Sequence, residues 1–81
     1  MSEEAKNKAI EKLSKYGTVR TCKIVNDCVV TIVLTDGFSE ETMSTLNFIK
    51  EAKSLFSDFP IMETLITEEN LAILVLKIKS I

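Results

Sequence analysis

The chain has 81 residues, 46% of them apolar and 27% charged, with a net charge of −2 and no histidine. This is one globular domain near the low end for folding without staples, and not a disordered chain. The acidic balance gives no electrostatic case for nucleic acid or an anionic membrane, and the lack of histidine rules out histidine-based acid–base and metal chemistry.

The first predicted element is a helix over residues 3–16. Ser2 is placed as its N-cap, and Glu3 and Glu4 suit the positive helix end. Ala5, Ala9, Ile10, Leu13 and Tyr16 recur at helical spacing, and Gly17 reads as a left-handed C-terminal cap. Residues 18–25 and 29–35 are β-branched and apolar, divided by Asn26-Asp27-Cys28, which predicts a tight hairpin. Asp36-Gly37 closes it.

A second helix is predicted over about residues 40–57. Ser39 is the expected N-cap, Glu40 and Glu41 load the first turn, and Phe38 staples onto Met43. Asp58-Phe59-Pro60 stops the helix, because the residue before proline avoids helical geometry. Residues 61–67 and 71–79 form a second hairpin around Glu68-Glu69-Asn70, read as a three-residue loop. That register sets Met62, Thr64 and Ile66 against Leu76, Leu74 and Ala72.

Helix–strand–strand therefore occurs twice, and Thr21–Val33 can be laid over Glu63–Val75. The repeat predicts an α+β domain with a four-stranded, mainly antiparallel sheet and two helices, all within residues 1–81. Neither face of the two richest strands is polar, whereas a sheet covered on one side should alternate. Either the helices lie on opposite faces, or both lie on one and the other is buried in an oligomer.

Sites of chemistry are absent from the pattern. Both glycines are punctuation, so there is no phosphate loop. The carboxylate pairs Glu3-Glu4, Glu40-Glu41 and Glu68-Glu69 fall at helix ends and a turn. Cys22 and Cys28 do not make a Cys-x-x-Cys motif and read as reduced, buried structural thiols. No catalytic residue, cofactor or metal is expected. The polar, acidic N-terminus is unlike a secretory leader, and no apolar run reaches membrane length. Together these predict a cytoplasmic chain.

Ile10-Glu11-Lys12-Leu13, Gly17-Thr18-Val19-Arg20, Cys22-Lys23-Ile24-Val25-Asn26-Asp27, the helix from Glu41 to Leu55, and the strands Glu63-Thr64-Leu65-Ile66-Thr67 and Leu71-Ala72-Ile73-Leu74-Val75-Leu76 carry a resemblance. In that order they resemble the Roadblock family of dynein light chains and prokaryotic regulators of small Ras-like GTPases. The resemblance implies a minimal version without the family's fifth strand and closing helix. It implies a sheet held between helices and a homodimer built on the middle helix. It also implies a scaffold or GTPase-regulating role without an active site. A permuted ferredoxin-like sandwich has the same element order, with both helices on one face.

Two functions from different classes follow. The first is a non-enzymatic, homodimeric interaction module whose interface uses Met43, Leu46, Phe48, Ile49, Leu55 and Phe56 of the second helix, with an exposed sheet edge as the alternative contact at the two-fold axis. The second is a small nucleic-acid-binding domain using Lys6, Lys8, Lys12, Lys15 and Arg20. The interleaved Glu3, Glu4 and Glu11 favour the first, as does the lack of strand aromatics for stacking on RNA.

Overall fold

In the computed structural model, residues 3–26, 28–39, 41–56 and 60–78 are described, with Thr42 for its backbone alone. Ser2, Asp27, Glu40, Ser57, Asp58, Phe59 and Lys79 lie outside them, so the expectations placed on those residues are not addressed. The elements run α1 (Glu3–Leu13), β1 (Thr18–Val25), β2 (Val29–Thr35), α2 (Thr42–Phe56), β3 (Met62–Glu68) and β4 (Leu71–Lys77). Among the described residues the four strands form one antiparallel sheet in the order β1-β2-β4-β3. The expected element order and sheet both hold.

The faces are set by alternation along each strand. Cys22 and Ile24 of β1, Val30, Ile32 and Leu34 of β2, and Ala72, Leu74 and Leu76 of β4 point to one side. That side meets Ala9 and Leu13 of α1 and Phe48 and Ala52 of α2 in a single core. Both helices thus share one face, the arrangement of the permuted ferredoxin-like sandwich. The sheet is not held between helices as the Roadblock resemblance implies.

The helix ends differ from the sequence reading. Beyond Leu13, the Ser14 hydroxyl donates to the Ile10 carbonyl and Tyr16 N–H closes a 3.0 Å turn onto Leu13. Local side-chain bonding of this kind competes with helix continuation. Gly17 is not left-handed; Gly37 is the described glycine with positive φ, at 132°. Gly17 is needed for space instead, because a Cβ there would lie 2.9 Å from the Thr35 carbonyl oxygen.

The second helix begins later than predicted. Ser39 Oγ accepts from Glu41 N–H at 3.3 Å, ahead of the helix, and the Glu41 carbonyl accepts the Thr45 N–H at 3.0 Å. Glu41 therefore occupies the cap position. Nor does Phe38 staple onto Met43, which is 67% exposed. Phe38 is buried and packs edge-on against Phe48, with ring centroids 5.8 Å apart.

The second hairpin is also corrected. Glu68 pairs with Leu71, so its loop is the two residues Glu69-Asn70, with Asn70 left-handed at φ 57°. Asn tolerates that geometry. One residue fewer in the loop turns every β3 side chain over. Leu65 now faces the helices opposite Leu74, while Met62, Thr64 and Ile66 face away beside Lys77, Val75 and Ile73.

Candidate interaction surface

The side of the sheet away from the helices is built from the other half of the alternation. Four cross-strand rows follow from the register: Val25, Val29, Lys77 and Met62; then Lys23, Thr31, Val75 and Thr64; then Thr21, Val33, Ile73 and Ile66; and last Thr18, Thr35, Leu71 and Glu68. Half of these sixteen side chains are aliphatic or Met, and no described helix covers them. Val25, Met62 and Ile66, at the two edges, are 40%, 54% and 52% exposed. Central residues such as Val33, Ile73 and Val75 are half-buried because neighbouring strands shield them. A face that is apolar at half of its positions and uncovered among the described residues is a candidate interaction surface.

The predicted interface on α2 is broken up by the fold. Phe48 is fully buried in the core of its own chain, where Phe38 and Tyr16 pack around its ring. It is no surface residue. Ile49, Leu55 and Phe56 pack, half-buried, against the same core. Met43 and Leu46 stay in solvent at 67% and 45% exposure. The helix is unusually apolar because much of it lies under the sheet and α1, leaving two exposed apolar side chains where the open sheet face has three, Val25, Met62 and Ile66, beside five half-buried ones.

The basic residues are not gathered into one site. Lys15, in the turn after α1, pairs with Glu51 of α2, and the hydrogen bond to Glu51 holds the Lys15 ammonium above the ordinary lysine range. Arg20 sits in a β-bulge between Val19 and Thr21. Its Nε donates to Thr35 Oγ1 at 2.9 Å and its guanidinium meets Asp36 Oδ2 at 2.6 Å. Lys53 of α2 meets Glu63 of β3 at 2.9 Å. These exposed pairs fix geometry more than they stabilise.

Among the described residues no group of three or more His, Cys, Asp or Glu could hold a metal ion. A shallow groove between the helices is lined by Glu11, Lys12, Lys15, Glu51, Ser54 and Leu55. Its one buried polar atom without a hydrogen bond is Glu51 Oε2, on a side chain already engaged by Lys15. Cys22 is a buried free thiol and its pKa is pushed up by burial, which disfavours the reactive thiolate. Cys28 is free but only half-buried, because it lies in the β1–β2 turn and not on a strand facing the core. No described helix is long and apolar enough to cross a membrane.

Comparison with known proteins finds no matching family model, no similar curated protein and no similar solved structure.

Proposed function

We propose that this chain is a non-enzymatic protein-interaction module that works as a homodimer, with two copies closing their open sheet faces on each other. One observation carries this reading: both helices cover one face, and the opposite face presents Val25, Val29, Val33, Met62, Ile66, Leu71, Ile73 and Val75 with nothing of the described chain above them. Seven-residue strands and four-strand width give a face of about 450 Å², or about 900 Å² for two copies before side-chain relief is counted. That approaches the roughly 1,000–1,200 Å² at which specific interfaces begin. The face is self-complementary in chemistry as well. Its polar members are mainly threonines, whose methyl groups pack against aliphatic side chains, and its charges Lys23, Lys77 and Glu68, with Arg20 bonded to Thr35 at one corner, lie toward the margins, where long stems can reach water.

The face carries no aromatic residue, so it lacks the stacking platform of an RNA-binding sheet. A small GTPase as the further partner rests on the Roadblock resemblance alone. The test is sedimentation equilibrium at low micromolar concentration, comparing wild type with Ile73→Asp. The charge at the centre of the face should halve the assembly mass while circular dichroism shows the fold intact. A wild type that is monomeric throughout, or an Ile73→Asp variant of unchanged mass, overturns the reading.

A further inference from the structure

The two edges of the sheet are not alike. β1 is interrupted by the bulge at Arg20, whose side chain is tied to Thr35 and Asp36, and it carries Lys23 beyond that point. Bulges and lysines are devices that stop an edge from pairing. β3 has neither. Its seven residues run in unbroken register with β4, it contains no Pro or Lys, and all but the half-buried Leu65 are exposed. Every second N–H and C=O along it points outward without a strand to receive it. No helix end or loop among the described elements crosses this edge as a strand.

We propose that the β3 edge pairs antiparallel with β3 of a second copy, about a two-fold axis through Leu65, so that two sheets join into one of eight strands. Self-pairing supports this occupant because the sequence of β3 is compatible with its own reverse. Centring on Leu65 sets Glu63 opposite Thr67 of the partner subunit, Thr64 opposite Ile66 of the partner subunit, and Met62 opposite Glu68 of the partner subunit. All seven residues pair, no two carboxylates face each other, and Thr–aliphatic and Leu–Leu neighbours form on the two faces. Glu68 of the partner subunit also comes to the strand next to Met62, whose other neighbour is Lys77, giving opposite charges within side-chain reach. The axis is perpendicular to the sheet, so both helix layers fall on one side and both open faces on the other. This contact is separate from the stacking of open faces and does not rest on it.

The test traps the register. In a Cys22→Ala, Cys28→Ser background, Glu63→Cys and Thr67→Cys together place thiols directly opposite across the two-fold axis, within disulfide reach. Either introduced thiol alone lies about 13 Å from its own mate, well outside that reach. The double variant should oxidise to a covalent dimer on non-reducing gels while each single variant stays monomeric there. Failure of the double variant to cross-link, or equal cross-linking by the single variants, overturns the proposed pairing. The wild-type protein gives a second readout that needs no altered background. Amide exchange along β3 should slow as protein concentration rises, with β1 as the internal control. Exchange in β3 that ignores concentration, or slows only when an unrelated peptide is added, also overturns it. Loss of the face contact through Ile73→Asp should leave the cross-link between positions 63 and 67 in place, which separates this inference from the proposed face-to-face dimer.

Discussion

Ile32 and Leu74 are direct cross-strand partners at the centre of the sheet, and they are also equivalent positions of the two repeats. When Thr21 is laid over Glu63, residue 32 falls on residue 74. The neighbouring pairs Val30–Leu76 and Leu34–Ala72 then exchange with each other. The internal repeat is therefore a two-fold relation between the central strands, with its axis passing through this one pair. Both side chains are fully buried beneath the helices.

Leu74→Ala should cost about 2–5 kcal/mol, because a cavity at the axis is walled on all sides and cannot collapse. A domain of this length has only about 4–12 kcal/mol in total. Urea unfolding should show the midpoint fall sharply for Leu74→Ala, and similarly for Ile32→Ala. A loss below about 1 kcal/mol at either site would show that the pair is not the centre of the core.

Gly17→Ala tests close approach against backbone conformation. The new methyl would lie 2.9 Å from the Thr35 carbonyl oxygen and 3.2 Å from the Phe38 nitrogen, both of them backbone atoms that cannot swing aside. The expected cost is about 1–3 kcal/mol. Gly37→Ala would make only an ordinary 3.7 Å contact with the Gly17 Cα but must hold φ near 132°, so its cost of about 1–3 kcal/mol is backbone strain. Introducing a D-alanine by peptide synthesis separates the causes: it should relieve the strain at 37 and bring no such relief of a left-handed strain at 17.

Much of this architecture is legible in the residues. The boundaries of β1 and β2 follow from β-branched runs cut by Asn26 and Gly37, and the apolar stripes of both helices mark where they lie, though the expected caps Gly17 and Ser39 do not mark their ends. The register of β3 is not legible, because Asn70 suits the left-handed position of a two-residue loop as well as of a three-residue one. That single ambiguity decides whether Leu65 or Ile66 faces the core. The sequence also shows that both sheet faces are apolar, yet it leaves open which face the helices cover, since that depends on how the crossovers turn. Phe48 illustrates the cost: helical spacing groups it with Met43 and Leu46, and only the packed structure separates the buried ring from the exposed pair.

That separation is itself testable. Phe48→Glu should unfold the chain instead of dissociating it, because a carboxylate would be driven into a fully buried site between Phe38 and Tyr16. Met43→Glu and Leu46→Glu should change stability by no more than about 0.5 kcal/mol, as exposed helix positions do. Circular dichroism and sedimentation on the three variants read both properties. A folded, monomeric Phe48→Glu would restore α2 as the interface.

The last expectation concerns alkaline pH and Cys22. Burial raises its thiol pKa, an effect partly offset by the Lys6 ammonium, whereas the unfolded thiol titrates near about 8.5. Below that value the thiol is protonated in both states and contributes no pH dependence. As pH rises through it, the unfolded chain loses its proton first, so unfolding is favoured and stability falls until the folded thiol titrates as well. The fall is at most about 1.4 kcal/mol per pH unit from this one group. Tyr16 acts in the same sense higher up, its hydroxyl raised by burial and by the charge of Glu51. The Lys15–Glu51 pair is likewise present below the ordinary lysine range and lost as pH climbs through the raised value of Lys15. Of these three groups, Cys22 alone titrates early enough in the unfolded chain to be isolated. Urea midpoints measured between about pH 7.5 and 9.5 should therefore drop more steeply for wild type than for Cys22→Ala. Parallel curves would mean that the Cys22 thiol is not shielded from water in the folded chain, and that its place in the core beneath α1 is wrong.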